Sequence, residues 1–174
     1  MYYTRTVFML LFFVFVSTSF AQKSIDATLS KFNTESVPYI SIGELSKSEG
    51  VLLLDTRKKE EFEVSHLKNA IWVGYEAFSL DSVVNKIENR GKPLVVYCSI
   101  GVRSEEIGER LMAAGFTDVK NLYGGIFEWK NQGNPVFDPQ GDRTNKVHAF
   151  DRQWGKLLKN ADKIYPQPKN RKKE

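Results

Sequence analysis

At 174 residues the chain is long enough for one domain with a sizeable buried core and too short for two full ones. A hydrophobic fraction of 41%, an aromatic fraction of 13% and a charged fraction of 26% exclude collagen-like, coiled-coil and wholly disordered chains. The net charge of +4 resides at the ends: without Arg5, Lys169, Arg171, Lys172, Lys173 and Glu174, residues 22–166 are formally neutral, which argues against a nucleic-acid partner.

In chain order, Val7–Val16 is an unbroken apolar run of ten behind Arg5, and Ser19-Phe20-Ala21 follows with small residues where an export peptidase reads. The run is far shorter than the roughly 20 residues that span a bilayer. A signal peptide over 1–21, cleaved before Gln22, is therefore expected, with no stable membrane insertion afterwards. Export places the protein in the periplasm if the source is bacterial. A lead-in over 22–38 precedes short apolar runs that alternate with helix-like segments, the pattern of βαβ units and a parallel sheet.

The spacing predicts strands at Tyr39–Ile42, Val51–Asp55, Ala70–Val73, Leu94–Cys98 and Val119–Leu122. Two of these runs, Val51-Leu52-Leu53-Leu54 and Leu94-Val95-Val96-Tyr97, are apolar throughout, as strands buried on both faces should be. Helices are predicted over Lys58–Val64, Leu80–Asn89, Val102–Ala114 and Ile126–Gln132. In the third, Ile107, Leu111 and Ala114 share a face opposite Glu105, Glu106, Glu109 and Arg110, and Gly115 is the expected cap. From the N-cap candidate Asp151, the residues Trp154, Leu157, Leu158, Ala161 and Ile164 mark one stripe that Pro166 ends. They predict an amphipathic helix, packed on the domain or docking a partner, after a linker from residue 138. Residues 166–174 form a basic tail.

The informative segment is Leu94 to Ser104, which reads as a buried strand, a loop and a helix start. It places Cys98, the chain's one cysteine, at the carboxyl end of a parallel strand, where open α/β sheets bind ligands. With a single cysteine no internal disulfide can form, and with only His66 and His148 beside it a zinc site is not expected. Backbone N–H groups of Ser99, Ile100, Gly101 and Val102 can converge into an anion-binding nest at the helix N-terminus. A thiol held there is pushed toward thiolate, and Arg103 adds a charge suited to an oxyanion or a sulfur anion. The alternative is an inert buried cysteine ending a core strand.

These residues resemble the rhodanese-like sulfurtransferases of the short, single-domain kind. Leu53-Leu54-Asp55-Thr56-Arg57 with Glu61-Phe62 is similar to the family's early strand and helix, and Ser65-His66-Leu67-Lys68-Asn69-Ala70-Ile71 to its Gly-His-Ile-x-Gly-Ala-x segment. Cys98 to Ser104 resembles the active-site loop, and Leu122 to Trp129 with Gly133-Asn134-Pro135-Val136 the closing signature. The resemblance covers about 39–137 and departs from the family at Ser65 and Asn69, where glycine is usual. It implies an α/β fold with a central, mostly parallel five-stranded sheet and helices on both faces.

The resemblance further implies transfer of a sulfane sulfur from thiosulfate or a persulfide onto Cys98 and then to cyanide or a thiol, with no metal or organic cofactor. Cys98 is the expected catalytic residue. Ser99, Ile100, Gly101, Val102 and Arg103 form the expected substrate-binding set, with Asp55, Arg57, Glu61 and Ser104 in support, the first three as an ion-pair group. His66 is expected to be structural. The expected partners are a small sulfur-containing anion as donor and, as acceptor, cyanide or a thiol such as a thioredoxin-like protein. Phosphatases also set Cys and Arg around an anion loop, but with five intervening residues against the four here. A non-catalytic persulfide carrier or protein-binding module is the remaining alternative.

Overall fold

The computed structural model describes residues 25–166. The expected leader over 1–21 and all but the first residue of the basic tail lie outside these residues. A helix over 25–32 (α1) opens the described chain and buries Ile25 and Leu29. Then follow β1 (Tyr39–Ile40), α2 (Ile42–Leu45), β2 (Leu52–Asp55), α3 (Lys59–Val64), β3 (Ile71–Trp72), α4 (Leu80–Lys86), β4 (Leu94–Tyr97), α5 (Val102–Ala113), β5 (Val119–Leu122) and α6 (Gly125–Asn131). The chain ends with β6 (Val136–Phe137), β7 (Arg143–Thr144), β8 (Lys146–His148), a 3-10 turn (Trp154–Lys156) and β9 (Asp162–Ile164).

All five predicted strands form one sheet in the order β1-β5-β4-β2-β3, and every pairing in it is parallel. The strand β4 lies in the middle and is buried along its whole length. Its alternate side chains feed two cores. Leu94 and Val96 meet Ile107 and Leu111 of α5 and Val83 of α4, whereas Val95 and Tyr97 meet Leu122, Ile126 and Phe127 on the opposite face. Helix α5 ends as its sequence requires. Gly115 takes φ 91°, and the N–H groups of Gly115 and Phe116 close on Met112 O (3.0 Å) and Leu111 O (3.2 Å).

Two expectations fail. Glu105, assigned to the exposed face of α5, is buried, and its Oε1 accepts the N–H groups of Thr34 (3.1 Å) and Ser36 (2.9 Å), fastening the lead-in to the helix. The amphipathic helix from Asp151 does not form either. Only the turn Trp154–Lys156 is helical, and Asp162–Ile164 pairs in parallel with β8. Tertiary partners take the backbone groups a helix would use internally: Asn131 Nδ2 donates to Leu157 O (2.9 Å), and Asn131 Oδ1 accepts Lys159 N–H (2.7 Å). Asp151 does cap, its Oδ1 accepting the N–H groups of Gln153 and Trp154.

The stripe packs locally all the same. Val147, Ala149 and Leu158 are fully buried in the core cluster that contains Tyr97 and Phe127, so the extension completes one face of the domain. Ser65 is tied to it, donating its hydroxyl to Lys146 O (2.7 Å). Asn69 takes φ 59°, the left-handed turn in which the family more often places glycine. Among the described residues, no helix is long and apolar enough to cross a membrane. Leu158→Ala is expected to cost about 2 to 5 kcal/mol of stability, the range for an emptied core site. Urea unfolding measures it, and a cost below about 0.5 kcal/mol, the range of surface substitutions, would contradict a core role for the extension.

Candidate active site

Cys98 follows the last residue of β4 directly and is 1% exposed. Gly101, at φ 106°, turns the loop so that its N–H donates to Cys98 Sγ (3.2 Å). The loop carbonyls are held elsewhere. Cys98 O and Ser99 O accept the N–H groups of Ile126 and Phe127 at the start of α6, each at 3.0 Å. Gly101 O accepts Asn33 Nδ2 (2.9 Å) and Asn121 Nδ2 (2.8 Å). Because a trans peptide sets its N–H opposite its C=O, the N–H groups of Ser99, Ile100 and Val102 point away from those partners.

This arrangement needs glycine at 125. A Cβ there would lie 2.4 Å from Cys98 O and 2.8 Å from Ile100 N, and the backbone has φ 54°. Burial pushes the Cys98 thiol up, but the Arg103 guanidinium and the N–H groups of Ser104 and Gly101 outweigh it. They hold the thiol below its ordinary value.

The supporting charges form two pairs rather than one group. Arg57 and Asp55 are fully buried and 2.6 Å apart, and Arg57 Nη2 also donates to Ser65 O (2.6 Å), bracing the turn after α3. Glu61, whose side chain is fully buried, accepts Arg103 Nη1 (3.0 Å) and Nη2 (3.1 Å), Ser99 Oγ (3.1 Å) and the Lys58 N–H (3.0 Å). Burial pushes the Glu61 carboxyl up, but the Arg103 bonds and charge, with Arg57 behind them, bring it below the usual carboxylate range. Arg103 is 18% exposed at the site, and its charge is matched by Glu61. The Ser104 hydroxyl donates to Asn121 Oδ1 (2.7 Å). His66 is structural, stacked on Phe62 at 4.0 Å with Nδ1 at 3.2 Å from Phe62 O.

A cavity of about 170 Å³ opens over the thiol, lined by Cys98, Ser99, Ile100, Val102 and Arg103 and by three aromatic residues that sequence reasoning did not place there: Phe32, Phe150 and Trp154. Phe32 and Trp154 stand 6.3 Å apart between ring centroids, and Arg103 lies over the Phe150 ring at 5.0 Å. Asn33, Asn121 and Glu105 were also missed. Only Trp154, on the apolar stripe after Asp151, carried any signal, and it pointed to packing.

A family profile described as the rhodanese-like domain matches residues 41–132, more than half of the chain. The chain belongs to the rhodanese-like domain family. Over 94 residues it is 29% identical to the thiosulfate sulfurtransferase GlpE of Coxiella burnetii, covering 54% of this chain and 85% of that protein. Over 91 residues it is 36% identical to a tRNA uridine(34) hydroxylase of Hamiltonella defensa, covering 51% of this chain but 26% of that protein. The chain therefore spans only a small part of such hydroxylases. Among solved structures, the BH2092 protein from Bacillus halodurans shares the fold with a TM-score of 0.53 at 22% identity, covering 67% of this chain and 88% of that one. Phe32, Phe150 and Trp154 all fall outside the rhodanese-like segment.

Two substitutions test this geometry. Gly125→Ala should destabilise the fold by about 1 to 3 kcal/mol through strain and displacement of the Cys98 loop, seen as a lowered urea midpoint. Arg103→Gln should move the pH midpoint of Cys98 alkylation upward, because the cation favours the thiolate. An unmoved midpoint would show that the guanidinium does not act on the thiol.

Proposed function

We propose that the protein is a sulfurtransferase that carries a sulfane sulfur on Cys98. The observation that supports this most is the loop itself: a buried thiol receives the Gly101 N–H at 3.2 Å while the loop's carbonyls at Cys98, Ser99 and Gly101 are engaged elsewhere. Such a loop stabilises negative charge on sulfur, both on the thiolate and on the persulfide that follows.

In the first step the Cys98 thiolate attacks the outer sulfur of the donor. The Sγ–S bond forms as the donor's S–S bond breaks, and the bonding pair leaves with sulfite from thiosulfate or with a thiolate from a persulfide. In the second step a thiol or cyanide attacks the outer sulfur, and Cys98 departs as the thiolate. Ser99, Ile100, Gly101 and Val102 supply the N–H lining in both. Arg103 holds the loop's orientation through Glu61 and favours the thiolate form.

Residues 22–166 carry no formal net charge, which argues against the tRNA substrate in the hydroxylases' name. The Val7–Val16 run and Ser19-Phe20-Ala21 support export. In an oxidising space the acceptor is then a low-molecular-weight thiol or a thioredoxin-like protein that keeps Cys98 reduced.

Intact mass before and after exposure to a sulfane-sulfur donor tests the proposal. The wild type should gain one sulfur atom that cyanide removes, and Cys98→Ser should gain none, since a hydroxyl cannot hold it. Loading of Cys98→Ser would place the chemistry elsewhere.

A further inference from the structure

The mouth over Cys98 is mostly carbon. Phe32 comes from α1, Phe150 from the turn after β8 and Trp154 from the 3-10 turn, and together with Ile100 and Val102 they surround the approach to the thiol. The one charged lining residue, Arg103, is bonded through two nitrogens to Glu61. Outside the N–H lining at the sulfur itself, an inorganic dianion that sheds its water in this mouth therefore meets apolar walls and a cation already matched, which is unfavourable. A donor that carries an apolar group on the sulfur bonded to its sulfane sulfur meets the opposite situation over the rest of its surface.

Size and conformation agree with this. An apolar cavity of about 150 Å³ holds a benzene-sized molecule, and this one is about 170 Å³. Phe32 is 54% exposed at the rim, leaving ring surface that a bound apolar group would cover. Phe150 has φ 64°, a conformation a bulky side chain rarely adopts, and its N–H is held by His148 Nδ1 (3.1 Å). Backbone outliers of this kind gather at ligand clamps, where the surrounding structure holds a side chain in a costly position.

We infer that Phe32, Phe150 and Trp154 form a specificity clamp, and that the preferred donor carries an aromatic or branched apolar group on the sulfur that holds its transferable sulfur, as an organic thiosulfonate or persulfide can. This rests on the Cys98 persulfide reading. With a thiosulfonate, R–SO2–S⁻, the Cys98 thiolate takes the outer sulfur, the bond to the sulfonyl sulfur breaks, and the electron pair leaves as the sulfinate R–SO2⁻. Two negative charges stand on each side, and no external oxidant or reductant is consumed. The ring of the donor would lie in the mouth against the exposed surface of Phe32 and the rings of Trp154 and Phe150, with the sulfinate departing through the same mouth.

The test loads the purified protein with benzenethiosulfonate, methanethiosulfonate or thiosulfate and follows persulfide formation by intact mass. Each rate is divided by that of free cysteine with the same donor, which removes intrinsic reactivity. Wild type should favour the benzene compound over the methane compound by about tenfold, with thiosulfate slowest. Phe32→Ala, at an exposed rim position, should reduce that preference by about fivefold. Phe150→Gly, which accepts the left-handed backbone, should do the same. A wild-type preference near one, or a preference unchanged in both variants, overturns the clamp while leaving Cys98 as the sulfur carrier. No loading by any of the three donors onto a reduced Cys98 overturns the persulfide reading and the clamp with it.

Discussion

The site depends on where the carbonyl groups of one short loop are sent. A loop that leaves a strand has as many acceptors as donors, and an anion is welcome only if the acceptors are occupied elsewhere. Here the first turn of α6 takes Cys98 O and Ser99 O, and two asparagine side chains take Gly101 O. The fold thus turns the loop's acceptors away and leaves the Gly101 N–H directed at the sulfur. Gly125 is the point of closest approach, and the absence of a side chain there allows two backbone segments to meet.

The remaining architecture serves that contact. The middle strand β4 delivers Cys98 to its position, flanked by β2 with Asp55 at its end and by β5 with Asn121 within it. Glu61 on α3 joins the loop to the opposite side by holding Ser99 and Arg103 together. Removing one member of such a buried charge pair leaves the other uncompensated, so Glu61 and Arg103 act as a unit. The lead-in contributes through Asn33, which ties α1 to the loop although it lies before the family segment.

The sheet and the thiol were legible in the sequence because both rest on local, one-dimensional signals. A strand buried on both faces must be apolar throughout, as Leu94–Tyr97 is, and a cysteine followed by glycine and arginine at a helix start has few other uses. What was not legible depends on distant partners. The stripe Trp154, Leu157, Leu158 has helical spacing and does bury itself, but Asn131 takes the backbone groups at 157 and 159, and β8 takes the chain at 162–164. Glu105 reads as a solvent-facing acid until the N–H groups of Thr34 and Ser36 are seen against it. The aromatic mouth is assembled from positions 32, 150 and 154, a separation that no periodicity connects.

The parallel pairing of β8 with β9 has a consequence for how this site can vary. Antiparallel neighbours can be joined by a tight turn, but parallel ones require the chain to travel back the length of the strand before it pairs. Here that return path is residues 149–161, and it runs over the thiol, carrying Phe150 and Trp154. The roof of the cavity is therefore an obligatory crossing, not an added loop. Lengthening or shortening it would reshape the entrance to Cys98 while the five-stranded sheet beneath keeps its register, so the proposed selectivity and the proposed sulfur transfer are separable in the covalent order of the chain.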